Sequence, residues 1–186
     1  MKILVVIDMQ NDFCSPNGSL ANPAADKIII PIKERIKVAR QNKEMVIFTQ
    51  DTHMEDYLET GEGKKLPVEH CIYETKGWEI VDELKEEAAL CIFKHSFASF
   101  VLIDQINSII NAMTGVSILD AMNEVVEIEV CGVCTDICVI SNLLMLRSAF
   151  PNGIIKVNKN LCAGTTKEKH EMALEIAKSC MIDVIE

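Results

Sequence analysis

Short apolar runs rich in β-branched residues alternate with longer amphipathic stretches from one end of the chain to the other. The runs at 3–7, 45–49, 89–93, 126–131, 153–157 and 181–185 read as buried strands. Between them, 24–42, 78–87, 101–111 continued by 117–122, 136–149 and 167–178 space their apolar residues as helices do. Strands and helices in strict alternation imply βαβ units, because parallel neighbours need a long crossover and both faces of the sheet must then be covered. The pattern predicts a three-layer α/β/α protein with a six-stranded, doubly wound parallel sheet. No repeat, low-complexity tract or linker interrupts it, and 186 residues match one full-sized domain, so 1–186 reads as a single domain.

The segment 51–76 breaks the rhythm. It is polar, carries Gly61, Gly63 and Pro67, and far exceeds the roughly 2–6 residues of an ordinary connection. Loops of that length in compact domains usually carry function.

Composition narrows the partners. Asp and Glu outnumber Lys and Arg by 28 to 18, a net charge of −10, which argues against nucleic acid because phosphate neutralisation needs clustered cations. The first apolar run meets Asp8 after five residues, well short of the about 18 that a membrane span requires, and no signal peptide precedes it. Eight cysteines without an export signal point to reduced thiols in the cytoplasm.

In open parallel sheets, ligands bind beyond the carboxyl ends of the strands. The residues found there are Asp8 after the first run, Asp51 and His53 after the second, Lys94 after the third, and Gly132-Val-Cys-Thr-Asp-Ile-Cys138 after the fourth. A thiol in the first turn of a helix lies at the positive end of the macrodipole, which together with Lys94 is expected to favour thiolate at Cys138. A carboxylate closing an apolar strand is expected to be desolvated, with a raised pKa that suits Asp8 to general-base work.

These segments carry a family resemblance. Asp8-Met-Gln-Asn-Asp-Phe13, Asp51-Thr-His53, Leu66-Pro-Val-Glu-His70-Cys71, Lys94 ahead of Ser96-Phe-Ala-Ser-Phe100, Gly132-Val-Cys-Thr-Asp-Ile-Cys138 and Leu161-Cys-Ala-Gly-Thr-Thr resemble the isochorismatase-like cysteine hydrolases, a superfamily that includes nicotinamidases. The likeness spans nearly the whole chain and implies that family's hydrolase fold. It implies a catalytic triad of Cys138 as nucleophile, Asp8 as base and Lys94 as the cation holding both. It further implies an oxyanion hole from the backbone amides of Cys134 and Cys138, beside a cis peptide between Val133 and Cys134.

Asp51, His53 and His70 match the family's metal ligands, a donor set suited to Zn²⁺ first and also to Mn²⁺ or Fe²⁺. Some nicotinamidases have a further histidine between the last two. This chain has none, and Glu62 is the candidate in its place, with Glu59 as competitor. Phe13 matches a substrate-lining aromatic. The tryptophan that nicotinamidases commonly carry just ahead of the second histidine is absent, Leu66 and Pro67 standing there, while Trp78 lies beyond His70. The implied partner is a small neutral amide, and the implied assembly a homodimer or homotetramer.

Three other readings compete. Cys131-Gly-Val-Cys134 is a C-x-x-C, which invites redox chemistry, but four strands precede it where thioredoxin-like folds place theirs early, and no second pair exists to build a zinc ribbon. Vinyl-ether hydrolysis occurs in isochorismatases, several of which lack the cysteine nucleophile. Hydrolysis of an N-carbamoyl or ureido substrate remains open within the same family.

Overall fold

The computed structural model describes residues 1–115 and 126–186. Six strands, β1 (Lys2–Ile7), β2 (Met45–Asp51), β3 (Cys91–Lys94), β4 (Glu127–Val133), β5 (Ile154–Ala163) and β6 (Asp183–Ile185), form one sheet in the order β3-β2-β1-β4-β5-β6. All its pairings are parallel. β1 is central, and Ile3–Ile7 are buried without alternation because helices cover both faces. The order reverses between β1 and β4, which opens a crevice beyond their carboxyl ends.

The longer helices are α2 (Asp26–Gln41), α4 (Phe100–Thr114), α5 (Ile140–Ala149) and α6 (Lys167–Ser179), with single turns α1 (Asn11–Cys14) and α3 (Asp82–Lys85). Ile28, Ile29, Ile32, Ile36 and Ala39 of α2 face the sheet. Contacts divide the helices into two groups, α2 with α3, and α5 with both α4 and α6, as two layers flanking the sheet. Local signals set the ends: Ser99 caps α4 by accepting from Leu102 N, Gly115 closes it at φ 71°, and Thr166 caps α6.

Two sequence expectations need correction. The stretch 78–87 is helical only over Asp82–Lys85, because the backbone of 79–81 is engaged elsewhere: Asn11 N donates to Glu79 O, Val81 N to Met9 O, and Ile80 bridges Gln10. Bonds to another segment leave those groups unavailable to a helix. The fifth strand runs to Ala163 rather than 157, its pairing with β4 jumping from Val130↔Val157 to Gly132↔Cys162. That bulge brings Gly164 and Thr165 to the rim of the crevice. The helical reading of 117–122 lies outside the described residues.

Candidate active site

Asp8 leaves β1 at φ 50°, a left-handed conformation that Asp tolerates better than most residues, and is wholly buried. Its backbone N–H donates to Thr49 O at 3.2 Å, and the Thr49 hydroxyl donates to Oδ1 at 2.7 Å. At the same level Gly132 takes φ 115°, and a Cβ there would overlap the Ile7 carbonyl, so glycine lets β4 end hard against β1.

Lys94, 2% exposed at the end of β3, fills the crevice between the strand ends. Its ammonium lies 2.8 Å from Asp8 Oδ2, 3.0 Å from Asp51 Oδ1, 3.1 Å from Ser96 O and 3.6 Å from Cys138 Sγ. The register Asp51↔Lys94 between β2 and β3 puts the second carboxylate there. Burial alone would drive Lys94 neutral, but Asp8, Cys138 and Asp51 around it hold its pKa well above the usual lysine value. Burial is the main cause that raises the pKa of Asp8, against the opposing pull of Lys94.

Cys138 sits in a π-helical turn, Thr135–Val139, that leads into α5. The turn opens directly after the cis peptide Val133–Cys134, and Cys134 O accepts from Ile137 N and Val139 N at 3.0 and 3.1 Å. Amides in a first helical turn lack intrahelical acceptors and are suited to meet developing negative charge. The thiol departs from expectation. Burial pushes its pKa well up, and although Lys94 pulls it down, Asp8 and Asp51 push it up again. Desolvation is the largest influence on the sulfur, and it opposes the pull of Lys94 toward thiolate.

Asp51, His53 and His70 form a buried group whose donor atoms all lie within 4.8 Å of one another. Both imidazole Nε2 atoms face Asp51 Oδ2, at 3.2 and 3.6 Å, and both stand 3.9 Å from Glu62 Oε1. His70 Nδ1 donates to Val68 O at 2.8 Å, which turns its Nε2 toward Asp51 and Glu62. Although burial opposes ionisation of Asp51, the hydrogen bonds from His53 and His70 and the nearby Lys94 keep its pKa well below the usual carboxylate range. Two imidazole nitrogens and a buried carboxylate, with a second carboxylate alongside, are a donor set that fits a divalent cation of the zinc class. Glu59 is exposed, and it is Glu62 whose carboxylate stands beside both imidazoles.

The loop 51–76 thus supplies His53, Glu62 and His70, and it is packed from within. Tyr57, wholly buried, lies 4.6 and 5.0 Å (ring centroids) from His53 and His70, and its hydroxyl donates to Leu66 O. Phe13 reaches His70 at 5.7 Å. Gln10 accepts from Asp51 N at 2.7 Å and donates to Asp51 O at 2.8 Å, and Asp12 accepts from Cys71 N at 2.7 Å, tying the residue after His70 to α1. Sequence reasoning had assigned no role to Thr49, Gln10, Asp12 or Tyr57. The detectable signals were polar residues directly after an apolar strand, and one aromatic within a polar loop.

The other candidates fall elsewhere. Trp78 is half-buried against Tyr73 and Phe93, its indole donating to Thr52 Oγ1. All eight cysteines are free thiols; Cys131 Sγ turns to Val5 O and Cys134 Sγ to Asn22, so the C-x-x-C sulfurs engage different partners. Among the described residues, no helix is long and apolar enough to cross a membrane.

Comparison with known proteins gives a consistent picture. The isochorismatase domain model matches residues 2–186. A nicotinamidase of Saccharomyces cerevisiae is 30% identical over 112 residues, 47% of this chain and 51% of that protein, so the match spans about half the length of that relative. A nicotinamidase/pyrazinamidase of Mycobacterium tuberculosis is 24% identical, the match covering 100% of this chain and 98% of that protein. The crystal structure of a pyrazinamidase of Pyrococcus horikoshii in complex with zinc superposes with a TM-score of 0.80 at 28% identity, over 100% of this chain and 98% of that one.

Proposed function

The chain belongs to the isochorismatase domain family, and on that premise we propose that it hydrolyses the C–N bond of a small linear carboxamide, releasing ammonia through a thioester on Cys138. The observation that carries the reading is the placement of one buried ammonium, Lys94, 2.8 Å from the Asp8 carboxylate and 3.6 Å from the Cys138 sulfur. The nicotinamidase and pyrazinamidase relatives supply the substrate class.

Because burial pushes the pKa of the Cys138 thiol up, attack calls for a base. Asp8 takes the S–H proton as the sulfur bonds to the amide carbon, and Lys94 stabilises the negative charge passing between them. The amides of Cys134 and Cys138 receive the carbonyl oxygen as it becomes an oxyanion. Collapse of the tetrahedral adduct breaks the C–N bond, and Asp8 returns the proton to the departing nitrogen as ammonia. Water then attacks the thioester, giving its proton to Asp8. The acid leaves, and the thiol is restored with that proton. Burial raises the pKa of Asp8 and so strengthens its affinity for the proton it takes.

Asp51, His53 and His70, with Glu62, would hold a divalent ion, zinc foremost and manganese or iron(II) as alternatives. When bound, such an ion supplies a Lewis-acid anchor for a ring nitrogen or other substrate lone pair. Phe13, beside His70, would line the substrate space. The same reading treats the chain as one cytoplasmic domain and as a homo-oligomer, the exposed Phe97, Phe100 and Val101 supporting a contact face.

Ammonia release from nicotinamide, pyrazinamide, N-carbamoylsarcosine and ureido acids tests the proposal. Turnover of at least one amide, abolished in Cys138→Ala and by iodoacetamide, is expected. Full activity in Cys138→Ala would refute the mechanism.

A further inference from the structure

The turn that carries the nucleophile is tied down on a side that the chemistry above does not use. Thr135, only 1% exposed, places its hydroxyl 2.8 Å from Nδ1 of His170, the fourth residue of α6. The adjacent Asp136 accepts from Thr165 N at 2.7 Å and from Thr165 Oγ1 at 2.6 Å. Gly164 makes this corner possible, since a Cβ there would come within 2.8 Å of His170 Cβ and 3.0 Å of Asp136 Oδ1. Asn22 joins the same corner to the turn, donating to Gly164 O at 2.9 Å with its amide 3.8 Å from Cys134 Sγ. From the opposite side Asn142 donates to Cys138 O at 2.8 Å.

The part-buried hydroxyl–imidazole bond thus links the start of α6 to the stretch from Cys134 to Cys138. Burial lowers the pKa of His170, against Glu171 and Asp136, and its Nδ1 faces the Thr135 hydroxyl, which can act as either donor or acceptor. A π-helical turn is an uncommon conformation, found mostly where function holds it in place.

We propose that Thr135 and His170 form a latch that positions the Cys134 and Cys138 amides, and the Cys138 sulfur, against Asp8 and Lys94. This rests on the cysteine-amidase reading; both are positioning residues, since neither touches a reacting atom in that scheme. Misplacing an oxyanion donor by a fraction of an ångström acts in the transition state and leaves ground-state binding largely intact.

The test uses Thr135→Val and His170→Leu, which remove the bond, and Thr135→Ser and His170→Asn, which keep a polar atom where the bond forms. On whichever amide of the panel the enzyme turns over, the first two are expected to lose kcat by about tenfold to a hundredfold with KM changed less than about threefold. The second two should recover to within about threefold of the parent, and the Val/Leu double variant should lose no more than one single variant. Hydrogen–deuterium exchange of the peptide spanning 131–143 is expected to accelerate in the Val and Leu variants and to return to the parent rate in the Ser and Asn variants. Folded Val and Leu variants with unchanged kcat, additive losses in the double variant, or equal losses in Ser and Asn would each overturn the latch and leave the amidase reading standing. If no amide is turned over, the amidase reading falls, and unchanged exchange in the Val and Leu variants would overturn the latch independently.

Discussion

Replacing Lys94 with Met removes the charge that joins the Asp8 and Asp51 carboxylates while nearly conserving the length of the side chain. At an effective dielectric of about 20, Coulomb's law gives about 6 kcal/mol for the contact with Asp8 at 2.8 Å and about 5.5 for that with Asp51 at 3.0 Å. Much of this is offset because all three groups were taken out of water, so the net loss on removing one partner of a buried set is about 3–5 kcal/mol. For a chain of this size, that is a fall in Tm of about 6–20 °C. The pH dependence follows from Asp8. Its folded pKa, already raised, rises further without Lys94, so its contribution is present below the unfolded carboxylate value of about 4 and is lost as pH rises through the folded value. The deficit of Lys94→Met against the parent should therefore widen from pH 5 to pH 8, and adding Asp8→Asn should recover part of it. Urea unfolding followed by circular dichroism, in chelator at both pH values, measures this. A variant within 1 kcal/mol of the parent at pH 8, or a deficit that shrinks as pH rises, would refute the buried ion set.

Thr49→Val deletes the hydrogen bond that favours the Asp8 carboxylate, so the acid limb of the kcat/KM profile should move to higher pH and activity at pH 6 should fall. Glu62→Gln should weaken zinc retention in equilibrium dialysis by about ten- to a hundredfold, whereas Glu59→Gln leaves it unchanged, since only Glu62 stands 3.9 Å from both imidazoles. Gly132→Ala must place a Cβ on the Ile7 carbonyl at φ 115°, and thermal unfolding should report a loss of about 3 kcal/mol or more.

The alternation of buried runs with amphipathic stretches located all six strands, because period and burial are local properties of the chain. Helix 78–87 failed for the opposite reason: the bonds from 9–11 that hold 79–81 extended come from residues about 70 positions away, which no local window contains. The site followed the same division. Asp8, Lys94 and Cys138 come together because each closes or follows a strand of a parallel sheet, whose carboxyl ends share one edge. The upward push on the Cys138 pKa was not readable, since it depends on how deeply the sulfur is buried beside Asp8 and Asp51. Glu62 could be separated from Glu59 only by the path of the loop around Tyr57.

The central claim is that Cys138 becomes acylated. Rapid quenching of the enzyme with the best amide of the panel, followed by peptide mass spectrometry, tests it directly. One acyl group on the Cys138 peptide is expected before steady state, and neither adduct nor ammonia with Cys138→Ala. Sustained ammonia release from Cys138→Ala would contradict it.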